Sequence, residues 1–172
     1  MKTTTSQFTI TALMCLIFIT FNISCQKGDT GTPGQNGTGN IASSTYTVNS
    51  WAYTSPNYYA NLSVPEITNN NINSCAVMVY YSNTSSDRWR AVPFTQYGSV
   101  NNYYMNFNSS VGNVQVTWFS NSSVSSGDNP NVYYGATSQF KVVVIANSLK
   151  VQNPNVNFNN YYEVKAKFGL KD

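Results

Sequence analysis

The sequence predicts a mostly β fold, an antiparallel β-sandwich of about seven to nine strands with a short C-terminal helix. From Ile41 onward, β-branched and aromatic residues recur in short runs separated by Asn, Ser, Gly and Pro, as expected for strands and turns. Val114, Val116 and Trp118 alternate with polar residues, which indicates a strand with one buried face. The C-terminal segment carries the signals of a capped, amphipathic helix.

The strands are expected near residues 45–53, 58–64, 75–82, 88–95, 102–108, 113–120 and 139–146. Two of these segments contain almost continuous apolar runs, Ala76 to Tyr81 and Val142 to Ile145. Central strands that are covered on both faces have this composition. Something besides the facing sheet must therefore cover these two strands.

A helix near residues 159–168 is the predicted cover. An Asn at its start supplies an N-cap, Glu163 suits the capping box, and a Gly follows it as the C-terminal stop. Tyr161, Val164 and Phe168 share one helical face. We expect that face to pack on the sheet, which makes 41–172 one folded domain.

Residues 1–24 are predicted to be a lipoprotein signal peptide. Lys2 supplies the positive start, and residues 10–21 form an apolar run of the length of a signal core. This run is shorter than the ~20 apolar residues that span a bilayer. Ser24 and Cys25 then follow Ile as in a lipobox, although Asn precedes that Ile where an aliphatic residue is usual.

Cys25 is therefore the predicted lipidation site, carrying acyl chains that anchor the mature chain to a membrane. The alternative is cleavage by an ordinary signal peptidase, which would leave Cys25 as a free thiol. Cys15 leaves with the signal peptide, so Cys75 stays alone in the domain and no internal disulfide is expected there. We expect Cys75 to behave as a small buried apolar residue.

Residues 25–40 are predicted to be a tether. Glycine recurs at every third position, a collagen-like register, at Gly28, Gly31, Gly34 and Gly37. Four triplets with one proline favour a flexible hydrophilic tether, with a short trimerising stalk as the alternative. The chain is accordingly expected to be a monomer or a trimer.

The order of motifs along nearly the whole chain resembles a family of collagen-like lipoproteins from Bacteroidota. The motifs after Cys25 and the Gly-x-x repeat are Trp51, Leu62 to Ile67, Ala76 to Tyr80, Ser110 to Val114, Phe140 to Ile145, Tyr162 to Lys165 and Phe168 to Asp172. The resemblance implies an outer-membrane location, with the cell surface favoured over the periplasmic face. It implies no biochemical activity.

Composition excludes several function classes. Charged residues make up only 9%, and Arg88 and Arg90 are the only arginines, so the clustered positive charge of a nucleic-acid binder is missing. The chain has no histidine, the commonest general base and transition-metal ligand. We expect no nucleic-acid partner, metal or cofactor.

The carboxylates do not indicate an enzyme either. Those beyond the tether are Glu66, Asp87, Asp128, Glu163 and Asp172. Glu66 suits a strand end, Asp87 and Asp128 suit polar turns, and Glu163 suits a helix cap. No nucleophile, phosphate-loop or calcium-loop motif accompanies any of these carboxylates. We therefore expect a non-enzymatic protein.

Aromatic residues interleaved with Asn and Ser are the one functional indication. Side chains of this kind stack on sugar rings while neighbouring amides bond the hydroxyls. The aromatics considered are Trp51, Tyr53, Tyr58, Tyr59, Trp89, Tyr97, Tyr103, Tyr104, Tyr133 and Tyr134. Most are expected to be core or strand-face residues, because neighbours in a strand point to opposite faces.

The first ligand candidates are Trp89 with Arg90 and Tyr133 with Tyr134, since these pairs lie nearest to predicted loop ends. The leading hypothesis is a membrane-anchored lipoprotein displaying a β-sandwich for structural or interaction roles at the cell envelope. The alternative is a surface glycan-binding module that uses exposed Trp and Tyr. Polysaccharide or another envelope protein would then be the partner.

Overall fold

A computed structural model describes residues 41–122 and 128–171. The predicted signal peptide 1–24, the lipidation site Cys25 and the tether 25–40 lie outside the described residues and stay predictions.

The described residues form nine strands and three short helices. In chain order they are β1 (Ile41–Val48), β2 (Ala52–Thr54), β3 (Asn57–Val64), β4 (Cys75–Asn83), β5 (Arg90–Val92), β6 (Phe94–Tyr97), β7 (Asn102–Ser110), β8 (Gly112–Ser120), α1 (Pro130–Tyr134), β9 (Ser138–Ala146), α2 (Asn147–Gln152) and α3 (Tyr161–Phe168). The strands make two sheets, in the orders β1-β9-β4-β5 and β2-β3-β8-β7-β6. Neighbouring strands run antiparallel throughout. The predicted antiparallel β-sandwich is confirmed.

Two predicted strands are each divided between the sheets. The segment 45–53 becomes β1 and β2, and the segment 88–95 becomes β5 and β6. Pro93 separates the second pair, and because proline has no N–H to donate to a ladder, the chain leaves one sheet there and joins the other. The prediction of single strands over these segments was wrong.

The core between the sheets contains the inward side chains of β3, β7, β8 and β9. Val114, Val116 and Trp118 are fully buried there, as their alternation predicts. Trp118 stacks on Tyr103 with ring centroids 5.1 Å apart, and its indole N–H donates to the carbonyl of Asp128 at 3.0 Å. This arrangement determines which face of β8 points inward.

The C-terminal helix is confirmed, beginning two residues later than predicted. Asn160 is the N-cap, and its side chain accepts a hydrogen bond from the Tyr162 amide. Glu163 accepts from the Asn157 amide and the Asn160 side chain, so it ties the preceding turn to the helix. Gly169 ends the helix in the left-handed conformation, at φ 64°.

The helix covers the outer face of the four-stranded sheet, as predicted for the two apolar strands. Tyr161 and Val164 of α3 are buried against the outward side chains of β4 and β9, among them Val143 and Ile145. Phe168 packs at the edge of the same cluster. Val142 and Val144 point into the core instead, so β9 is buried on both faces.

Cys75 is half-buried at the start of β4 and packs against the core between the sheets. Removal from water raises the pKa of its thiol. The raised pKa disfavours the thiolate, the reactive form of cysteine.

Candidate functional site

The two sheets differ in what lies on their outer faces. The four-stranded sheet presents apolar side chains, which α3 and its flanking residues cover. That cover also buries Lys141, whose ammonium donates to the Tyr161 hydroxyl at 3.0 Å and lies 5.2 Å from the Trp89 ring centroid. On the five-stranded sheet, by contrast, the side chains that point outward from β3, β6, β7 and β8 are half-buried or exposed.

The outward side chains of β3, β8, β7 and β6 form rows across the strands, because directly paired residues share a face. Three successive rows are Asn61, Gln115 and Asn108; Tyr59, Thr117 and Asn106; and Phe119, Tyr104 and Thr95. We call these nine residues the open face. None of the nine is charged and none is aliphatic, so the open face consists only of amides, hydroxyls and aromatic rings.

Two aromatic rings form one end of the open face. Tyr104 on β7 and Phe119 on β8 pair directly, and their rings stack with centroids 5.2 Å apart and planes 20° apart. Both side chains are half-buried. The stacked pair offers a continuous apolar patch on an otherwise hydrophilic surface.

A shallow depression of about 310 Å³ adjoins this patch. It is lined by Pro93, Asn106, Phe107, Asn108, Thr117 and Phe119, four of which belong to the open face. The depression lies where β6 begins, because the first residue of β6, Phe94, pairs with Met105 and no residue before it pairs with β7. Beyond that point β7 has β8 as its only partner strand among the described residues.

The amides beside the depression are available to a ligand. Gln115 donates to Asn61 at 3.2 Å within the first row. No hydrogen bond between described residues uses the side chain of Asn106, Asn108 or Thr117. Asn106 and Asn108 are both exposed.

Trp89 and Arg90, predicted as a pair of ligand residues, lie on opposite faces of the four-stranded sheet. Trp89 is half-buried beneath α3, with its ring centroid 5.7 Å from that of Tyr161. Arg90 is exposed at the sandwich edge, lies 4.0 Å over the Phe94 ring and donates to the Thr95 carbonyl at 2.8 Å. The structure does not bring these two side chains into one site.

Tyr133 and Tyr134, the second predicted pair, lie on α1 at one end of the core. Both are half-buried, and their ring centroids are 4.9 Å apart. The Tyr134 hydroxyl and the Arg90 guanidinium both donate to the Gln96 side-chain oxygen, at 3.2 and 3.1 Å. These contacts connect α1, β5 and β6, so Arg90 and Tyr134 share an acceptor that holds the two sheets together.

Tyr59 and Tyr104 of the open face are among the aromatics that the sequence indicates as possible ligand contacts, whereas Phe119, Asn106 and Asn108 are not. The available signal was the alternation in β8. If Val116 and Trp118 point inward, Thr117 and Phe119 point outward.

Several tyrosines in and around the core have raised pKa values. Burial raises the pKa of Tyr81 to about 12, outweighing the lowering effect of the neighbouring Ser138 and Asn83 side chains. Burial also raises the pKa of Tyr46, Tyr58, Tyr80 and Tyr134.

We therefore expect stability to fall as the pH rises from about 10 to about 12. An unfolded chain loses its tyrosine protons near pH 10, whereas the native chain retains them to a higher pH, so alkali favours the unfolded state. Ultraviolet titration of tyrosinate should show a group of tyrosines that ionise only above pH 10 or upon unfolding. Ionisation of all 13 tyrosines in one step near pH 10, with the native circular dichroism retained, would contradict this expectation.

Among residues 41–122 and 128–171, no three or more Cys, Asp or Glu side chains come together as a potential metal site. In the same part of the chain, every helix is too short or too polar to cross a membrane. Comparisons with protein-family models, with curated proteins and with solved structures found no match to this chain.

Proposed function

We propose that this chain is a non-enzymatic, lipid-anchored envelope protein that displays its β-sandwich to bind a partner through the open face. The difference between the two sheets carries the proposal. One outer face is apolar and covered by α3, while the other presents rings and hydrogen-bonding groups to solvent. The stacked rings of Tyr104 and Phe119 lie beside a depression on this second face, where a ligand can reach them.

The anchor part of the proposal rests on the sequence around Cys25. A positive start, an apolar run too short to span a bilayer and a small residue before the cysteine together favour lipidation. The tether of residues 25–40 then holds the domain away from the outer membrane, on its cell-surface side in preference to its periplasmic face. Acyl chains would be the only membrane contact that the protein requires.

Replacing Cys25 with Ser is expected to abolish lipidation. The wild-type chain grown with labelled palmitate should carry the label, and its intact mass should correspond to a chain beginning at Cys25 plus acyl groups. The C25S variant should carry neither the label nor the added mass. The matched control is C75S, which changes the other cysteine beyond the signal peptide and should keep the label.

A mature wild-type chain without added acyl mass would overturn the anchor. So would a C25S variant that incorporates palmitate as well as the wild type does. Protease treatment of intact cells distinguishes the two faces of the outer membrane, since only a surface-displayed domain is accessible. Protection of the domain in intact cells would assign it to the periplasmic face.

A further inference from the structure

We infer that the open face binds an uncharged polysaccharide, with a sugar ring seated in the depression against Phe119, which stacks on Tyr104. This inference rests on the proposed function, because it names the ligand class of the same surface. It places the ligand away from Trp89 and Arg90. Three properties of the open face select this ligand over other classes.

The first property is the absence of charge. All nine side chains of the open face are neutral, in rows that extend over four strands. An anionic or cationic ligand would lose hydration on this surface without gaining an ion pair in return. A neutral ligand avoids that cost.

The second property is the absence of aliphatic side chains. The centre of a protein–protein interface is usually apolar, whereas here Asn, Gln and Thr lie among three aromatic rings, those of Tyr59 and of the stacked pair Tyr104 and Phe119. Neutral sugars match this mixture, since one molecule carries both an apolar ring face and a rim of hydroxyls. The apolar face fits Phe119 and Tyr104, and the hydroxyls fit the amides.

The third property is the geometry at the depression. Asn106 and Asn108 lie two residues apart on β7, so both side chains point outward beside Phe119 and Thr117. Each amide offers both a donor and an acceptor, and hydrogen bonds among the described residues leave both side chains unused. A hydroxyl-rich ligand in the depression therefore meets hydrogen-bonding groups within reach of the apolar patch.

The test is affinity electrophoresis of the detergent-extracted full chain through gels that contain one polysaccharide each. The neutral probes are xylan, mixed-linkage β-glucan, α-mannan and amylopectin, and the charged probes are polygalacturonate and heparin. We expect at least one neutral probe to retard the wild-type chain. Added salt should leave that retardation unchanged, because no ion pair contributes to it.

Two variants remove the proposed contacts, Phe119→Ala for stacking and Asn106→Ala for hydrogen bonding. Each should weaken the apparent affinity at least about tenfold while the far-ultraviolet circular dichroism stays that of the wild type. The matched controls are Tyr162→Ala, an exposed ring on α3, and Gln152→Ala, an exposed amide at the end of α2. Both controls should migrate as the wild type does.

Several results would overturn the inference. They are no retardation by any neutral probe, retardation by the charged probes alone, or retardation that Phe119→Ala and Asn106→Ala leave intact. Loss of binding in Trp89→Ala with full binding in Asn106→Ala would assign the sugar to the face beneath α3. Self-association of the wild-type chain that Asn106→Ala abolishes would assign the open face to a second copy of the chain.

These outcomes are separate from the test of the anchor. The palmitate label depends on Cys25 and does not involve the open face. A chain that is lipidated but bound by no polysaccharide would contradict only this inference. A chain that binds polysaccharide without carrying lipid would contradict only the anchor.

Discussion

Replacing Trp118 with Ala is expected to lower the free energy of unfolding by about 4 kcal/mol. Trp118 is fully buried between the sheets, where it stacks on Tyr103 and lies 5.8 Å from the Tyr133 ring centroid. The substitution leaves a cavity at the junction of β7, β8 and α1. It also removes the donor to the Asp128 carbonyl. Urea denaturation followed by circular dichroism measures the loss.

Phe119→Ala is the matched control, because it removes a large ring from the next residue of the same strand. Phe119 points outward and is only half-buried, so we expect its loss to cost about 1 kcal/mol. An equal cost for the two substitutions would contradict the register of β8. A shift of one residue would exchange the inward and outward sets of side chains.

Replacing Asn131 with Ala is expected to lower the free energy of unfolding by about 3 kcal/mol. Its side-chain oxygen accepts from the Trp51 indole at 3.2 Å and from the Ser138 amide at 2.9 Å. Its side-chain nitrogen donates to the carbonyls of Val48 and Asn49, at 2.9 and 3.1 Å. One amide thus connects the end of β1, the following turn and the start of β9, so its removal leaves several polar groups without a partner.

Asn129→Ala is the control for this prediction. Asn129 caps α1 through one side-chain bond to the Val132 amide, and the loss of such a cap costs about 1 kcal/mol. Asn131→Asp should not restore stability, because a carboxylate retains the acceptor but has no donor for the two carbonyls. If Asn131→Ala cost no more than Asn129→Ala, the four contacts would not act together as described.

Much of the fold was accessible from local sequence patterns. The inward face of β8 followed from the alternation of Val114, Val116 and Trp118, since a strand repeats every two residues. The helix α3 followed from its caps and its apolar face, because these signals lie within one short segment. The need to cover β4 and β9 followed from their continuous apolar composition.

The elements missed in the sequence depend on distant partners. α1 is a five-residue helix, too short for a periodic pattern, and Asn131 stabilises it through contacts with residues about 80 positions away. The exchange of sheets at Pro93 is similar, because proline indicates an interruption but not which sheet the chain joins next.

The candidate site likewise combines features that the sequence indicated with features that only the tertiary structure shows. The sequence indicated that rings and amides on strands suit a sugar ligand, but it placed the first candidates near loop ends. Trp89 lies beneath α3, while Tyr134 joins Arg90 at the edge of the core. Phe119 and Tyr104 belong to different strands, so only the pairing of β7 with β8 brings their rings into contact.

By itself the sequence determined the mostly β class, the buried face of β8 and the capped helix, because these depend on residue type and on spacing along the chain. It also supplied the basis for the proposed lipid anchor at Cys25. The tertiary structure alone decided which strands make up each sheet and which rows of side chains form the open face. These features depend on strand order and register, which bring together residues that are distant in the chain.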